Sequence, residues 1–143
     1  MEENVRYPVM IEKDGDGWLA KFPDIPEALA GGDTYEEALS EAAGTLPVAM
    51  EFYFEDRRPV PAPSKAKAGQ ATVELPPSVA AKVLLLNEML RQNVTNADLA
   101  RRVGMTRQEV QRIVDLGHST KIDMIGKALA ALGKHLDFKL TAA

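Results

Sequence analysis

The sequence predicts an α+β chain in two parts. A small antiparallel sheet with one main helix comes first, and an all-helical domain with a possible terminal strand follows. Three observations predict this. Short β-rich stretches broken by Asp-Gly and Pro-Asp turns fill the first 33 residues. Four helix-start patterns follow, Thr34 with Glu37, Thr95 with Asp98, Thr106 with Glu109 and Thr120 with Asp123. Between the parts, Pro59, Pro61 and Pro63 alternate, which favours extended polyproline II.

The elements follow in order. Residues 5–11 are β-rich and partly alternating, and Pro8 suits an edge position or a strand start because it lacks a donor. Lys13-Asp14-Gly15-Asp16-Gly17 is turn chemistry, and residues 18–22 return as the second strand of a hairpin. A short third strand is expected at 27–30, before a turn at Gly31-Gly32. Thr34 then caps a helix whose Tyr35, Leu39, Ala42, Leu46, Met50 and Tyr53 share a face. Pro47 should kink it, since proline removes one helical hydrogen bond. Residues 71–75 alternate and form a candidate strand. Pro77 opens a helix to about residue 92, with Val79, Val83, Leu86 and Leu90 on one stripe. Helices at 96–103, 107–116 and 121–132 follow, then a stop at Gly133 and an alternating segment over 135–140.

These elements divide into an acidic domain over 1–63, to which strand 71–75 could belong, a linker region over 64–76, and a helix-turn-helix domain over 77–143. The charge divides with them. The whole chain carries −4 over 143 residues, yet residues 1–63 hold five cations against fourteen acids, and the remainder twelve against seven. That is −9 and +5, an asymmetry that speaks about partners.

Composition narrows the chemistry. Zero cysteines exclude disulfides, thiolate zinc sites, iron–sulfur clusters and a thiol nucleophile. No apolar run approaches the ~18–20 residues of a membrane helix. The start, MEENVRYPVMIEKDGDG, is neither basic nor apolar, so a cytoplasmic protein without a membrane partner is expected. Asp14-Gly-Asp16-Gly resembles the opening of a calcium loop, but the fifth and twelfth positions would be Trp18 and Ile25, and neither ligates. The carboxylates of the acidic half also admit a metal-dependent nuclease, with Asp24 and Glu27 as the residues to test. Most of them fall at polar positions of strands and helix, as a solvated face would. His118 and His135 lack partners at metal or catalytic spacing. No metal or other cofactor is expected.

The pair 96–103 and 107–116, joined by Gly104-Met105-Thr106, reads as a helix-turn-helix. Leu99, Ala100, Val103, Val110 and Ile113 would pack the two helices. Thr106, Arg107, Gln108, Gln111 and Arg112 would lie at the start and on the polar face of the second. Arg pairs with the guanine edge and Gln with the adenine edge in the major groove. Arg101, Arg102, Lys121 and Lys127 suit phosphates. A small helical bundle with a solvated polar face is the competing reading.

Nearly end to end, the chain resembles a HicB antitoxin of bacterial HicA–HicB toxin–antitoxin pairs, in the subgroup with a helix-turn-helix C-terminal domain. The carrying residues are Tyr7-Pro8-Val9, Phe22-Pro23-Asp24-Ile25-Pro26-Glu27-Ala28, Glu36-Glu37-Ala38, Phe52-Tyr53-Phe54-Glu55-Asp56, Lys82-Val83-Leu84-Leu85-Leu86-Asn87, Leu99-Ala100-Arg101-Arg102-Val103-Gly104 and Thr120-Lys121-Ile122-Asp123. The resemblance implies a degenerate ribonuclease-H-like N-terminal domain that binds and blocks a basic, mRNA-cleaving HicA-type toxin. It implies a C-terminal domain that represses the operon by binding operator DNA. It implies a homodimer or homotetramer, and no enzymatic activity. Acidic complementarity would steer the encounter, with Asp24 and Glu27 among the acids. Trp18, Phe22, Ile25 and Phe52 would anchor the toxin if exposed. A ligand-sensing transcription regulator is a further reading.

Overall fold

The computed structural model describes residues 5–142. Its elements run β1 (Arg6–Asp14), β2 (Gly17–Lys21), β3 (Leu29–Gly32), α1 (Tyr35–Asp56), β4 (Ala71–Glu74), α2 (Pro77–Arg91), α3 (Asn96–Val103), α4 (Arg107–Ile113) and α5 (Ile122–Ala130). This is the expected α+β class. The sheet is antiparallel with strand order β3-β2-β1-β4.

β1 is long because it serves two neighbours in turn. Its Arg6–Val9 half pairs with β4, and its Met10–Asp14 half pairs with β2. Pro8 is therefore not on an edge strand. The Val5 carbonyl accepts from Leu75 N, so the main-chain groups of Tyr7 and Val9 also face β4. Those of Pro8 face the other way, beyond the end of β2, where no ladder needs a donor. Gly15, at φ +61°, makes the β1–β2 turn.

Side chains alternate across the sheet. Tyr7, Val9 and Ala20 are buried with Ala38, Ala42, Leu46, Ala49, Met50 and Tyr53 of α1. On the opposite face Pro8 is buried, while the cross-strand row Met10, Lys21, Leu29 is exposed. The third strand sits two residues later than the sequence indicated. Gly31 and Gly32 lie within it rather than forming a turn. A Cβ on Gly32 would come within 2.6 Å of Ala38 N and 2.7 Å of Glu37 Cβ, so glycine lets α1 start against the sheet.

α1 spans 22 residues, about 33 Å. Thr34 accepts from Glu37 N, while Glu37 reaches back to Asp33 N rather than to the cap itself. The helix is unbroken through Pro47. The bond that Pro47 cannot donate would go to the carbonyl of Ala43, an exposed residue that water can reach.

Residues 57–70 form no helix or strand, but their first part is fastened to the sheet half. Val60 is buried in the first core. Its N–H donates to Asn87 Oδ1 at 2.9 Å, and Asn87 Nδ2 donates to its carbonyl at 3.0 Å. Tyr7 donates to the Pro61 carbonyl at 2.7 Å. Ser64 donates through both its N–H and its hydroxyl to Asp24. β4 then joins the sheet of its own chain.

α2 faces two cores. Ala80, Val83 and Leu86 complete the first, with the sheet and α1. Ala81, Leu85 and Met89 belong to the second, with Val94, Leu99, Ala100, Val110, Ile113, Ile125, Ala128, Leu129 and Leu132. Spacings of three and four residues put the two sets on different sides of one helix.

Three C-terminal expectations need correction. α4 ends at Ile113 rather than 116, because Leu116 packs on the first core instead of continuing the helix against the second. Thr120 does not cap α5: the N-cap is Lys121, without a side-chain cap bond, and the Thr120 hydroxyl is buried without a partner. Residues 135–140 join no sheet in this chain. A strand needs a neighbour, and the second core is purely helical.

Candidate functional site

The helix-turn-helix forms as its sequence dictates. Thr95 accepts from Asp98 N at 3.0 Å while Asp98 accepts from Thr95 N, and Thr106 and Glu109 repeat the reciprocal pattern. Gly104, at φ +80°, ends α3 in the left-handed region and lets the chain turn into α4. The main-chain and hydroxyl contacts of Thr95, then Arg101, hold the Asp98 carboxyl below the usual carboxylate range.

Leu99, Ala100, Val110 and Ile113 are buried between the helices, and Val103 packs at the edge of the same cluster. Arg107, Gln108, Gln111 and Arg112 are all exposed, at offsets of one, four and five residues along one face of α4. The helix is about 10 Å long, which fits across a major groove about 12 Å wide. Arg101 and Arg102 are exposed near the end of α3, as are Lys121 at the N-cap of α5 and Lys127 within it. Arg101 is paired with Asp98. The Thr106 hydroxyl is engaged in the cap, accepting from Glu109 N and donating to Glu109 Oε1, both at 3.1 Å.

A residue not singled out from the sequence positions the end of α4. Lys82 of α2 is 2 % exposed. Its ammonium donates to the carbonyls of Arg112, Asp115 and His118 at 3.2, 2.7 and 2.5 Å. A cation suits the negative end of a helix. Burial pulls its pKa down, and nearby Asp115 opposes that shift. The sequence offers one signal: Lys82 interrupts an apolar run.

The acidic half presents a different surface. Glu36, Glu37, Glu41, Glu55 and Asp56 of α1 are exposed, as are Glu12, Asp14 and Asp16 of the hairpin. Its six candidate contact residues do not form one patch. Phe22 and Ile25 are 2 % and 0 % exposed, so the condition for anchoring a partner fails for both; they are core. Glu27 accepts from Tyr53 at 2.7 Å and from Arg58 at 3.4 Å, and the Arg58 guanidinium lies 4.1 Å over the Tyr53 ring. The Tyr53 hydroxyl foremost, with Arg58 adding to it, holds the Glu27 carboxyl below its ordinary pKa, while burial raises that of Tyr53. Asp24 binds Ser64. Both acids thus fasten the loop after β2 to the chain that follows α1.

Trp18 is half-buried, edge-on to Tyr35 at 5.7 Å. Tyr35 begins α1 and Tyr53 nearly ends it, which separates Trp18 from the Glu27 cluster by about 27 Å along the helix. Phe52 is 52 % exposed. Sequence reasoning missed an apolar cleft of about 410 Å³ beside β3, lined by Met10, Lys21, Phe22, Pro23, Pro26, Ala28 and Leu29. The alternation of Met10 against Val9 across β1 could have pointed to it. Among the described residues no three His, Asp or Glu side chains gather as metal ligands, and no helix is long and apolar enough to cross a membrane.

A family profile described as the HicB-like antitoxin of bacterial toxin–antitoxin systems matches residues 6–84. That stretch is the sheet, α1, the fastened connection, β4 and the first half of α2. The chain belongs to the HicB-like antitoxin family. Antitoxin HicB 2 of Photorhabdus laumondii is 61 % identical over 137 residues, spanning 96 % of this chain and 97 % of that protein. Antitoxin HicB of Escherichia coli is 45 % identical over 133 residues, spanning 92 % and 96 %. Antitoxin HicB of Pseudomonas fluorescens is 40 % identical over 133 residues, spanning 92 % and 90 %. These matches run well past α2, so the likeness to HicB antitoxins includes the helical half. As an antitoxin of a toxin–antitoxin system, the protein has a toxin as its partner.

Proposed function

We propose that this HicB-like antitoxin neutralises a HicA-type mRNA-cleaving toxin through its acidic sheet half and represses its own operon through its helix-turn-helix. It acts in the cytoplasm as a homodimer or homotetramer and catalyses no reaction. The observation that carries the reading is the exposed Arg107, Gln108, Gln111 and Arg112 face on a capped α4, in the same chain as a stretch, residues 1–63, that carries −9. Arg107 and Gln108, in the first turn, would reach base edges, with Gln111 and Arg112 beside them. Arg101, Arg102, Lys121 and Lys127 would hold phosphates, and Thr106 would serve by capping α4. On the sheet half, the surface acids would steer a basic, RNA-gripping partner, and exposed Phe52 and half-exposed Trp18 would contribute apolar contact.

The test is a gel-shift titration on DNA from upstream of the gene, at fixed salt, with the wild-type chain and Arg107→Ala. Loss of about 1–3 kcal/mol and relaxed preference at one base pair are expected. Unchanged affinity together with unchanged base preference would refute the α4 assignment. Rescue of growth on co-expression with the product of the adjacent short basic reading frame tests the toxin half. Failure of the folded full-length chain to rescue would refute it.

A further inference from the structure

We propose that the solvent face of α1, from Gly44 to Phe52, is the surface on which the toxin docks, a basic groove with an apolar floor closing on the helix there. The inference rests on the toxin reading above and names the surface that reading leaves open.

Val48 and Phe52 are 58 % and 52 % exposed. Among the described residues they are the only exposed large apolar pair one turn apart on a helix. A helix packed on a sheet normally turns polar residues to water on its far side. The packed side of α1 is already complete, with Ala42, Leu46, Ala49, Met50 and Tyr53 in the first core. Gly44 lies one turn before Val48, so Gly44, Val48 and Phe52 form one ridge about 12 Å long.

Gly44 has no use inside this chain. Glycine weakens a helix interior relative to alanine. A Cβ on Gly44 would meet nothing within 4 Å, and its φ is not among the positive ones. This is the reverse of Gly32, whose Cβ would strike α1. What glycine offers at an open position is close approach to the backbone from outside. Ala43 beside it is exposed, and its carbonyl lacks a helical donor because Pro47 stands where that donor would be. A cation approaching over Gly44 can donate to that carbonyl.

The charge of α1 selects the occupant. The helix carries Glu36, Glu37, Glu41, Glu51, Glu55 and Asp56, and no Lys, Arg or His. Glu41, Glu51 and Glu55 stand seven or three residues from Val48, which puts them on its side of the helix. An apolar centre inside a polar rim is the anatomy of an interface, and a rim of one sign admits a partner of the other. A surface that grips RNA phosphates is basic, and these carboxylates can take the place of the phosphates. The other exposed apolar row, Met10, Lys21 and Leu29 on the far side of the sheet, has a cation at its centre, which repels such a surface.

The test is calorimetric titration of the full-length chain with the product of the adjacent short basic reading frame, beside urea unfolding of each free variant. Gly44→Gln puts a side chain on the ridge, and glutamine is the better helix former. It is expected to raise the urea midpoint of the free chain and yet weaken the complex at least about tenfold. Phe52→Ala should weaken the complex by about the same factor, and Leu29→Ala should leave it within about twofold of wild type. Glu41→Lys should slow association at low salt and lose most of that effect at high salt; an effect of equal size at both would count against a basic occupant. If wild type binds and both α1 variants bind within about twofold of it, the α1 face is wrong and the toxin reading stands. Loss of affinity in Leu29→Ala instead would move the docking to the sheet and overturn the inference. A folded wild-type chain that does not bind the product overturns the toxin reading and the inference with it.

Discussion

Replacing Lys82 with methionine keeps the length and bulk of the side chain and removes its charge. The ammonium is buried and donates to three carbonyls of the α4 end and the loop beyond it. Hydrogen bonds to a charged group contribute about 1.5–3 kcal/mol each, so three amount to roughly 5–9 kcal/mol. Desolvating the ammonium costs several kcal/mol in the opposite direction, and methionine escapes that cost. Asp115 and His118 are exposed residues, so water can re-satisfy part of what is lost. A net loss of about 2–4 kcal/mol is expected, a large share of the ~5–15 kcal/mol that holds a typical domain. Urea unfolding of wild type and Lys82→Met measures it. Hydrogen exchange should show the amides of 113–118 losing protection before those of β1, and operator affinity should fall although the change in α2 replaces no residue of the proposed α4 recognition face. A variant within 0.5 kcal/mol of wild type, with unchanged exchange over 113–118, would refute the assignment of Lys82 as the anchor of α4.

Three further outcomes follow from the sheet half. Gly32→Ala forces a Cβ against the main chain of Ala38, so a loss of about 1–3 kcal/mol is expected in chemical denaturation, whereas Gly126→Ala, with open space around it, should not destabilise. Burial foremost, with Asp24 and Tyr53 nearby, pushes the Tyr7 pKa up to about 12 from an ordinary 10.0. The folded chain therefore binds this proton more tightly than the unfolded chain, and stability present below pH 10 falls as pH rises toward 12, by about 3 kcal/mol; Tyr7→Phe should flatten that alkaline slope in pH-dependent denaturation. Glu27, held below its ordinary 4.5, contributes stability above that value and loses it as pH falls through the lower folded pKa, so Glu27→Gln should flatten the acid limb of the same curve.

The local signals of this chain were legible because they act within a few residues. Thr95 with Asp98 and Thr106 with Glu109 satisfy N–H groups of their own helices, and Gly104 needs only its own φ. The family resemblance was legible for the same kind of reason, being carried by short runs in order. What the sequence hid depends on distant partners. Whether Phe22 and Ile25 reach a ligand or the core is decided by α1, which lies further along the chain. Asp24 and Glu27 read as free acids until Ser64, Tyr53 and Arg58 arrive beside them. Thr120 has the spacing of a cap, yet α5 starts beyond it. α2 could have been read better: Ala81, Leu85 and Met89 form a second apolar stripe beside Ala80, Val83 and Leu86, and a helix apolar on several sides is buried on several sides.

That doubly buried helix limits how such antitoxins can be recombined. The proline-rich connection looks like the natural joint for exchanging one DNA-binding module for another. A cut there strips β4 and the Ala80, Val83 and Leu86 stripe from the sheet half, and gives the helical half a helix whose other side has lost its cover. Grafts that carry residues 5–91 as a block keep the buried residues of the first core together and lose only the cover of Leu116, but they must bring a new module shaped to Ala81, Leu85 and Met89 and to the Lys82 ammonium. The inheritable unit is therefore the sheet together with α2, and module exchange in this lineage is expected to leave its scars after residue 91 rather than among the prolines.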